Sequence, residues 1–245
     1  MTNNNLDIKH LSWDSDFFGI KVGRLTLEES IHYNIEEFQN IDRTYDLVYI
    51  ISPFPLYFKS KININLVDIK ITYKLDLNEN YKSFNFDLFD GEIIKYDKPY
   101  VQPDLEELTY QAGVYSRFRI DPNFNESSFK KLYKTWIENS VKKIISDDVI
   151  CCVADKKIVG FITVKFEKEF SVIGLIGVNE SFRGKQIGTK LIDTIAKESL
   201  QRNITNILVD TQKENQLACR FYEKNGFKVH KEQYIYHYWR NYDKL

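Results

Sequence analysis

A short glycine-containing turn in the stretch NESFRGKQIGTKL precedes a strongly periodic run of residues. Arg183 and Lys185 add positive charge, and Gly184 and Gly188 let the backbone approach a ligand closely. Because the first amides of a helix are unpaired and lie at the positive end of its dipole, such a turn can hold a phosphate. Gln186 stands where a second loop glycine would be expected. A left-handed backbone there would favour a decayed site, and a helical one a working site.

The glycine signal alone is weak, since most short turns before a helix bind nothing. Two neighbouring stretches strengthen it. The preceding segment, SVIGLIGV, has Gly174 and Gly177 inside a predicted strand, where glycine often marks a bulge or a close backbone approach. The later stretch NQLACRFYEKNGF predicts a helix that ends at Gly226 and carries Tyr222, whose hydroxyl could act as an acid.

Composition and charge limit the function classes. The chain has 245 residues, of which 43% are hydrophobic, so it can bury a substantial core. Its 34 Lys and Arg nearly balance 35 Asp and Glu, so no overall charge would draw it to nucleic acid or to an anionic membrane. The start of the sequence has no apolar signal core, and no stretch is long and apolar enough to span a bilayer. We expect a cytoplasmic protein.

Cysteine and histidine usage indicates no metal. The three cysteines are Cys151, Cys152 and Cys219, which fit neither a disulfide framework nor metal-ligand spacing. The four histidines lie far from any Cys-x-x-Cys or His-x-x-x-His arrangement.

Strands and helices alternate along the chain and predict an α/β fold. In the first 90 residues, GIKVGRLTL, DLVYIIS and NLVDIKITYKLDL have strand character, and HYNIEEFQNIDRTY has helical spacing. From about residue 104, PDLEELTYQAGVYSRF and SSFKKLYKTWIENSVKKII are typical of helices. VICCVADKKIVGFITVKF and SVIGLIGV predict a three-stranded antiparallel meander, followed by a helix, a strand, a helix and one or two final strands. This order gives a central mixed sheet flanked by helices.

The two motifs and the strand order resemble the GNAT superfamily of acyl-CoA-dependent N-acetyltransferases. The family pattern Asn-x-x-Ala-x-x-x-Tyr-Glu-x-x-Gly-Phe is matched completely over residues 215–227. The loop pattern, Arg or Gln-x-x-Gly-x-Gly or Ala, is matched at Arg183 and Gly188 and departs at Gln186. The resemblance implies a GNAT domain over residues 96–245 and acetyl-CoA as co-substrate.

The resemblance also implies where coenzyme A lies. Its pantetheine arm would occupy a V-shaped opening between the strand ending at Val178 and the strand NILVD. Its pyrophosphate would lie in the loop 183–189. The implied coenzyme A residues are Ile176, Val178, Arg183, Gly184, Lys185, Gln186, Ile187, Gly188, Thr189 and Asn215.

A narrower resemblance links the chain to the dTDP-fucosamine acetyltransferases, which acetylate the 4-amino group of a dTDP-linked 4-amino-4,6-dideoxygalactose. It rests on LSWDSDFFGIKVGRL near the N-terminus and on SRFRIDPNF and LYKTWIENSV. It implies a smaller, incomplete GNAT-like domain over residues 1–95 and a nucleotide-linked amino sugar as acceptor.

Catalysis by direct attack needs a neutral amine and an acid that protonates the leaving thiolate. Tyr222 is the candidate acid, although most of the 16 tyrosines must be structural. The strand SVIGLIGV lacks the Glu that many superfamily members place there as a base. Ordered water could carry the proton away, the amine could arrive neutral, or Asp210 could act, though Asp210 is more typical of a structural residue. A backbone N–H near Val178 would stabilise the oxyanion.

An acceptor with a diphosphate needs a second anion site. Arg117 and Arg119 flank Phe118, and in an extended segment both would point the same way. The arginine fork suits two phosphate oxygens, although paired surface arginines are often only solvated or ion-paired. Trp13 could line the acceptor pocket with Phe17 and Phe18, although we expect at least two of these three aromatics in the core.

Other functions fit parts of the pattern. The chain could acetylate an amino acid, a peptide N-terminus or an aminoglycoside, or it could be a non-catalytic coenzyme A sensor. The two arginines favour an anionic acceptor over a polycation. The aromatic C-terminal stretch QYIYHYW could be an exposed edge that forms a homodimer, or equally part of the core.

Overall fold

The computed structural model describes residues 6–28, 38, 41, 44–57, 63–77, 81 and 91–240. The described residues up to Leu77 contribute four strands and one helix: β1 (Ile8–His10), α1 (Ser12–Phe18), β2 (Val22–Thr26), β3 (Leu47–Ser52) and β4 (Ile64–Asp76). The three predicted strands of this region are confirmed as β2, β3 and β4. The helix predicted for HYNIEEFQNIDRTY lies mostly outside the described residues.

The later part of the chain has the predicted order of elements. After β5 (Glu92–Lys95) come three helices, α2 (Pro103–Ala112), α3 (Arg117–Ile120) and α4 (Glu126–Val141). The meander and the elements after it are β6 (Asp148–Ala154), β7 (Lys157–Phe166), β8 (Ser171–Val178), α5 (Ile187–Gln201), β9 (Asn206–Gln212), α6 (Gln216–Lys224) and β10 (Lys228–Trp239). Asp155 and Lys156 join β6 to β7 with positive φ angles of 49° and 62°, as a tight two-residue hairpin requires.

All ten described strands form one sheet in the order β1-β2-β3-β10-β4-β9-β8-β7-β6-β5. The pairs β2–β3 and β8–β9 are parallel, and the other neighbours are antiparallel. The predicted mixed, mostly antiparallel sheet is therefore confirmed. Strand β4 lies between β10 and β9, so the N-terminal and C-terminal parts of the chain share one sheet rather than two. Strand β5, just before the predicted boundary at residue 95, pairs with β6.

Strand β10 occupies an interior position between β3 and β4. Of the two alternatives for this stretch, the structure therefore shows the core: Ile235, Tyr236 and Trp239 are buried, with at most 4% of their surface exposed. The apolar pattern of this stretch reflects an interior strand that has core on both faces. It gives no reason to expect a dimer interface there.

Helices cover both faces of the sheet. Helices α5 and α6 pack on one face of its C-terminal half through a cluster that includes Leu191, Ile195 and Tyr222. Helices α2 and α4 pack on the opposite face through Leu105, Leu108 and Ile137. A third, aromatic cluster joins α1 and α3 to β2, β3 and β10. Among the described helices, none combines the length and the apolar character that crossing a bilayer would need.

Candidate active site

Strands β8 and β9 separate part of the way along the sheet. They pair only from Ser171↔Ile207 to Ile173↔Val209, although β8 continues to Val178 and β9 to Gln212. A β-bulge in β8 lies opposite Thr163, whose hydroxyl accepts a hydrogen bond from the Leu175 amide at 2.9 Å. The bulge bends β8 away from β9. A V-shaped opening results, with the main chain of β8 from residue 174 to 178 along one side.

The loop before α5 has the backbone geometry of an anion cradle. Residues Gly184 and Gln186 have positive φ angles of 80° and 59°, whereas Lys185 between them does not. Such alternation turns successive amides toward one concavity. Within the described chain, the amides of residues 184–189 have no acceptor, and Lys190 is the first to bond inside the helix, to Gln186. These free donors fit an anionic group such as the pyrophosphate of coenzyme A.

Gln186 is left-handed, which is the outcome that we took to favour a decayed site. The cost of this conformation for a residue with a Cβ is about 1–2 kcal/mol. The same conformation forms the concavity, because a helical residue 186 would turn its amide along the helix axis. Strain held at such a position is typical of functional loops. Gln186 therefore has a destabilising geometry that orients the free amides.

The charged side chains of the loop are exposed. Arg183 donates from Nε to the Val178 carbonyl oxygen at 3.3 Å, at the end of the opening. The Lys185 ammonium lies 4.7 Å from the centre of the Phe182 ring. Gly188 has a packing role that the sequence did not indicate, since a Cβ there would lie 2.8 Å from the Phe221 ring. This contact holds the start of α5 against α6.

Helix α6 begins at the opening. Asn215 caps it, with its side-chain oxygen accepting from the Ala218 amide at 3.1 Å. The asparagine of the matched motif is therefore explained locally, as the N-cap of α6. The side-chain Nδ2 atom of Asn215 has no partner among the described residues, so it remains available to a ligand.

Tyr222 lies about two helical turns further on, with a buried ring and a free hydroxyl. The residue is 3% exposed, and its ring packs against Tyr73, Phe221 and Phe227. Its hydroxyl has no hydrogen-bond partner in the described part of the chain, and it is not among the fully enclosed polar atoms. Burial raises the pKa of Tyr222 above its usual range. The phenol therefore stays protonated at neutral pH, as a proton donor requires.

Asp210 is held by two partners on β4. The Lys70 ammonium lies 2.9 Å from one carboxylate oxygen, and the Thr72 hydroxyl donates to the other. These contacts fit the structural role that we expected for Asp210 better than a role as a base.

Asp68 is a buried acid that sequence reasoning missed. It is 8% exposed, and its Oδ1 atom is enclosed without a hydrogen-bond partner. Burial raises the pKa of Asp68 to about 6, although the nearby Arg117 and Lys70 oppose this shift. No sequence signal marks it, because in the strand pattern Asp68 is only one polar residue among alternating ones.

Arg117 and Arg119 point in different directions. Residues 117–120 form the helical turn α3, so the extended segment in which both side chains would point the same way is not present. The Arg117 guanidinium lies between aromatic rings, 5.2 Å from the centre of Tyr49 and 4.5 Å from that of Phe118. Arg119 is exposed instead, with its Nε 3.8 Å from Glu126. The Ser116 side chain starts this turn by accepting from the Phe118 amide.

The three N-terminal aromatic residues also differ from one another in their exposure. Phe17 and Phe18 are half-buried and pack against the aromatic cluster, so they lie at its edge rather than inside the core. Trp13 is 47% exposed and stacks on Phe17 with 5.0 Å between ring centres. A cavity in this region is lined by Arg117 and by Asp14, the neighbour of Trp13, but not by Trp13 itself.

A buried polar network supports the turn that carries Arg117. The Asp121 carboxylate lies 2.6 Å from His237 Nδ1 and accepts from the Trp239 indole at 2.8 Å. Burial lowers the pKa of His237 to about 4, so this imidazole is neutral at physiological pH. The network ties the end of α3 to β10. No group of three metal-ligating side chains occurs among the described residues.

A sequence model of the acetyltransferase (GNAT) family matches residues 114–227. The chain is 22% identical to the spore coat polysaccharide biosynthesis protein SpsD of Bacillus subtilis over 133 residues, which are 54% of this chain and 46% of that protein. It therefore spans about half the length of that relative. It is 23% identical to dTDP-fucosamine acetyltransferase of Escherichia coli over 231 residues, covering 93% of this chain and 96% of that protein.

Solved structures extend the likeness to the whole fold. A tandem GNAT protein from the clavulanic acid biosynthesis pathway has a TM-score of 0.55 and 10% sequence identity, covering 91% of this chain and 76% of that chain. At this identity, the likeness concerns the fold alone.

Proposed function

Residues 114–227 of this chain form a GNAT-family acetyltransferase domain, and on that premise we propose that the protein transfers an acetyl group from acetyl-CoA to the amine of a nucleotide-linked amino sugar. One observation carries the transferase part of the proposal. The V-shaped opening has free loop amides at one end and the free Tyr222 hydroxyl beside α6.

Coenzyme A has suitable partners on both sides of this opening. The unpaired amides of residues 184–189 would bind its pyrophosphate, with charge from Arg183 and Lys185. The pantetheine arm would lie along β8, where main-chain groups around Ile176 and Val178 would pair with it. Asn215 would bind from the start of α6.

The reaction requires attack, collapse and two proton transfers. The neutral amine attacks the thioester carbonyl carbon, and a backbone N–H near Val178 stabilises the oxyanion. Collapse breaks the C–S bond and expels the thiolate, which Tyr222 protonates. The proton lost by the amine goes to water or to a side chain, so the products are an amide and a free thiol.

The acceptor class rests on two observations. The relative from Escherichia coli is a dTDP-fucosamine acetyltransferase, and the alignment with it covers nearly the whole of both chains. In addition, Arg117 presents an unpaired guanidinium on the acceptor side of the sheet, which suits a diphosphate.

A coenzyme A sensor without catalysis is the second candidate. The left-handed Gln186 and the absence of an acid from β8 favour it. The free hydroxyl of Tyr222 favours the enzyme.

A thermal-shift panel combined with a thiol-release assay separates the candidates. We expect acetyl-CoA to raise the melting temperature and dTDP- or UDP-linked amino sugars to raise it further, with thiol released only when both are present. Stabilisation by acetyl-CoA alone, with no thiol release in any mixture, would establish the sensor. Thiol release with an amino acid or an aminoglycoside, but with no amino sugar, would replace the proposed acceptor.

A further inference from the structure

A cavity of about 260 Å³ lies on the sheet face opposite α5 and α6. Both parts of the chain form it: α1, β2, β3 and β4 from the N-terminal part, and α3 and β10 from the C-terminal part. Its lining residues are Leu11, Asp14, Arg24, Tyr49, Ile51, Lys70, Arg117 and Ile235. Three of these are cations and one is an acid, whereas the chain as a whole is nearly neutral.

Two of the three cations make no direct ion pair among the described residues. Lys70 is paired with Asp210, and Asp14 accepts from the Tyr49 hydroxyl at 3.3 Å. Among the described residues, neither Arg24 nor Arg117 has a carboxylate within ion-pairing distance, and Arg117 Nε is enclosed without a hydrogen-bond partner. Arg24 and Arg117 are half-buried, and an enclosed donor such as Arg117 Nε is costly when it has no partner, so the site suits an anionic ligand.

The surroundings fix the direction of the Arg117 side chain. The rings of Tyr49 and Phe118 contact the guanidinium, and the network of Asp121, His237 and Trp239 holds the end of α3. A guanidinium held in this way loses little entropy when its two parallel N–H donors bind phosphate oxygens. Besides Asp14, the buried Asp68 also faces Arg117 and offsets part of its charge.

The cavity lies beside the opening between β8 and β9. Lys70, one of its walls, contacts Asp210 directly, and Asp210 is the first residue of β9 beyond the last pair with β8. A ligand that occupied the cavity would therefore extend toward the thioester of acetyl-CoA bound in the opening. The volume is below the roughly 300–1,000 Å³ that encloses a drug-sized ligand, so the cavity fits one part of a nucleotide sugar.

We propose that this cavity holds the phosphate groups of the acceptor between the guanidinium groups of Arg24 and Arg117, and that the N-terminal part of the chain thereby selects acceptors that carry phosphate. This inference rests on the proposed function for the identity of the acceptor. No sequence signal predicts that Arg24 lies in this cavity with Arg117. Arg24 is on β2, which is far along the chain from α3.

Binding of dTDP and of inorganic pyrophosphate, measured by calorimetry with saturating coenzyme A, tests the inference. Saturation prevents these probes from occupying the coenzyme A loop. We expect Arg24→Gln and Arg117→Lys each to weaken dTDP binding at least tenfold and to leave the affinity for acetyl-CoA unchanged. Arg202→Gln, a surface arginine at the end of α5, is the matched control and should bind dTDP as the wild type does. Because Arg117 packs on two rings, Arg24→Gln is the variant of choice if Arg117→Lys fails to fold.

The outcomes separate this inference from the proposed function. Wild-type affinity for dTDP in both arginine variants, or no dTDP binding by the wild type, would overturn the phosphate site even if amino sugars are acetylated. Arginine-dependent binding of dTDP and pyrophosphate would support it even if no mixture releases thiol, and only the proposed function would then fail.

Discussion

Tyr222 has a phenol that stays protonated at neutral pH and a hydroxyl without a competing partner among the described residues. Replacing Tyr222 with Phe keeps the ring, which packs against Tyr73 and Phe227, and removes only the hydroxyl. We expect Tyr222→Phe to lose at least tenfold in turnover and to bind acetyl-CoA as the wild type does, because general acids contribute about 10²–10⁴-fold. Steady-state thiol release and acetyl-CoA titration measure the two quantities.

The matched control is Tyr234→Phe, which removes a hydroxyl that is bonded to Glu232 on β10. It should retain full turnover. Equal turnover in Tyr222→Phe and the wild type would rule out Tyr222 as the acid.

Asp68 makes a stability prediction whose sign follows from its raised pKa. Between about pH 4 and pH 6 the folded chain holds a proton that the unfolded chain has lost, so stability falls as the pH rises through this window. Asp68→Asn removes this dependence. We expect the variant to be more stable than the wild type by about 1–3 kcal/mol at pH 7, and the difference to disappear below about pH 4.

Denaturant unfolding at several pH values measures this difference. Asp76→Asn is the control, because this acid lies on the same strand and is 57% exposed. A pH-independent difference for Asp68→Asn would contradict the argument from burial.

At the scale of an element, the loop before α5 depends on backbone conformation more than on side chains. Gln186→Gly should remove the cost of a left-handed residue and stabilise the fold by about 0.5–2 kcal/mol. We expect acetyl-CoA binding to be retained, since the amide remains in place. Thermal unfolding and acetyl-CoA titration check both statements.

The neighbouring substitution Lys185→Gly is the backbone control, because residue 185 has a negative φ and glycine there only adds unfolded-state entropy. Destabilisation by Gln186→Gly would show that its side chain compensates for the left-handed backbone.

The short elements of the site can be predicted from local sequence, whereas its contacts between residues far apart in the chain cannot. The loop, the glycine-bearing strand and the capped helix from Asn215 each lie within about a dozen residues, so their spacing predicts them. The left-handed Gln186 and the helical turn at Arg117 depend on packing that single residues do not reveal. Arg24 on β2, and Asp68 and Lys70 on β4, approach Arg117 only because β2, β3, β10 and β4 lie side by side in one sheet.

At the scale of the whole molecule, the shared sheet makes the two predicted domains dependent on each other. Strand β4 pairs with β10 from Lys228 to Tyr238 on one side and with β9 on the other. A fragment of residues 96–245 would lack β3, β4 and β5, so it would leave β10 without either neighbour and one edge each of β9 and β6 unpaired. We therefore expect it to aggregate or to lack a cooperative unfolding transition.

Circular dichroism and calorimetry of this fragment, with the full chain as reference, measure that dependence. Cooperative unfolding of the fragment with acetyl-CoA binding intact would instead establish residues 96–245 as an autonomous domain.

The central claim is that the protein acetylates the amine of a nucleotide-linked amino sugar. Mass spectrometry of dTDP-4-amino-4,6-dideoxygalactose after incubation with acetyl-CoA and the protein tests it most directly. We predict a product with one added acetyl group on the 4-amino nitrogen, formed in proportion to the thiol released. An unmodified sugar in the presence of protein that binds acetyl-CoA, across dTDP- and UDP-linked amino sugars alike, would contradict the account.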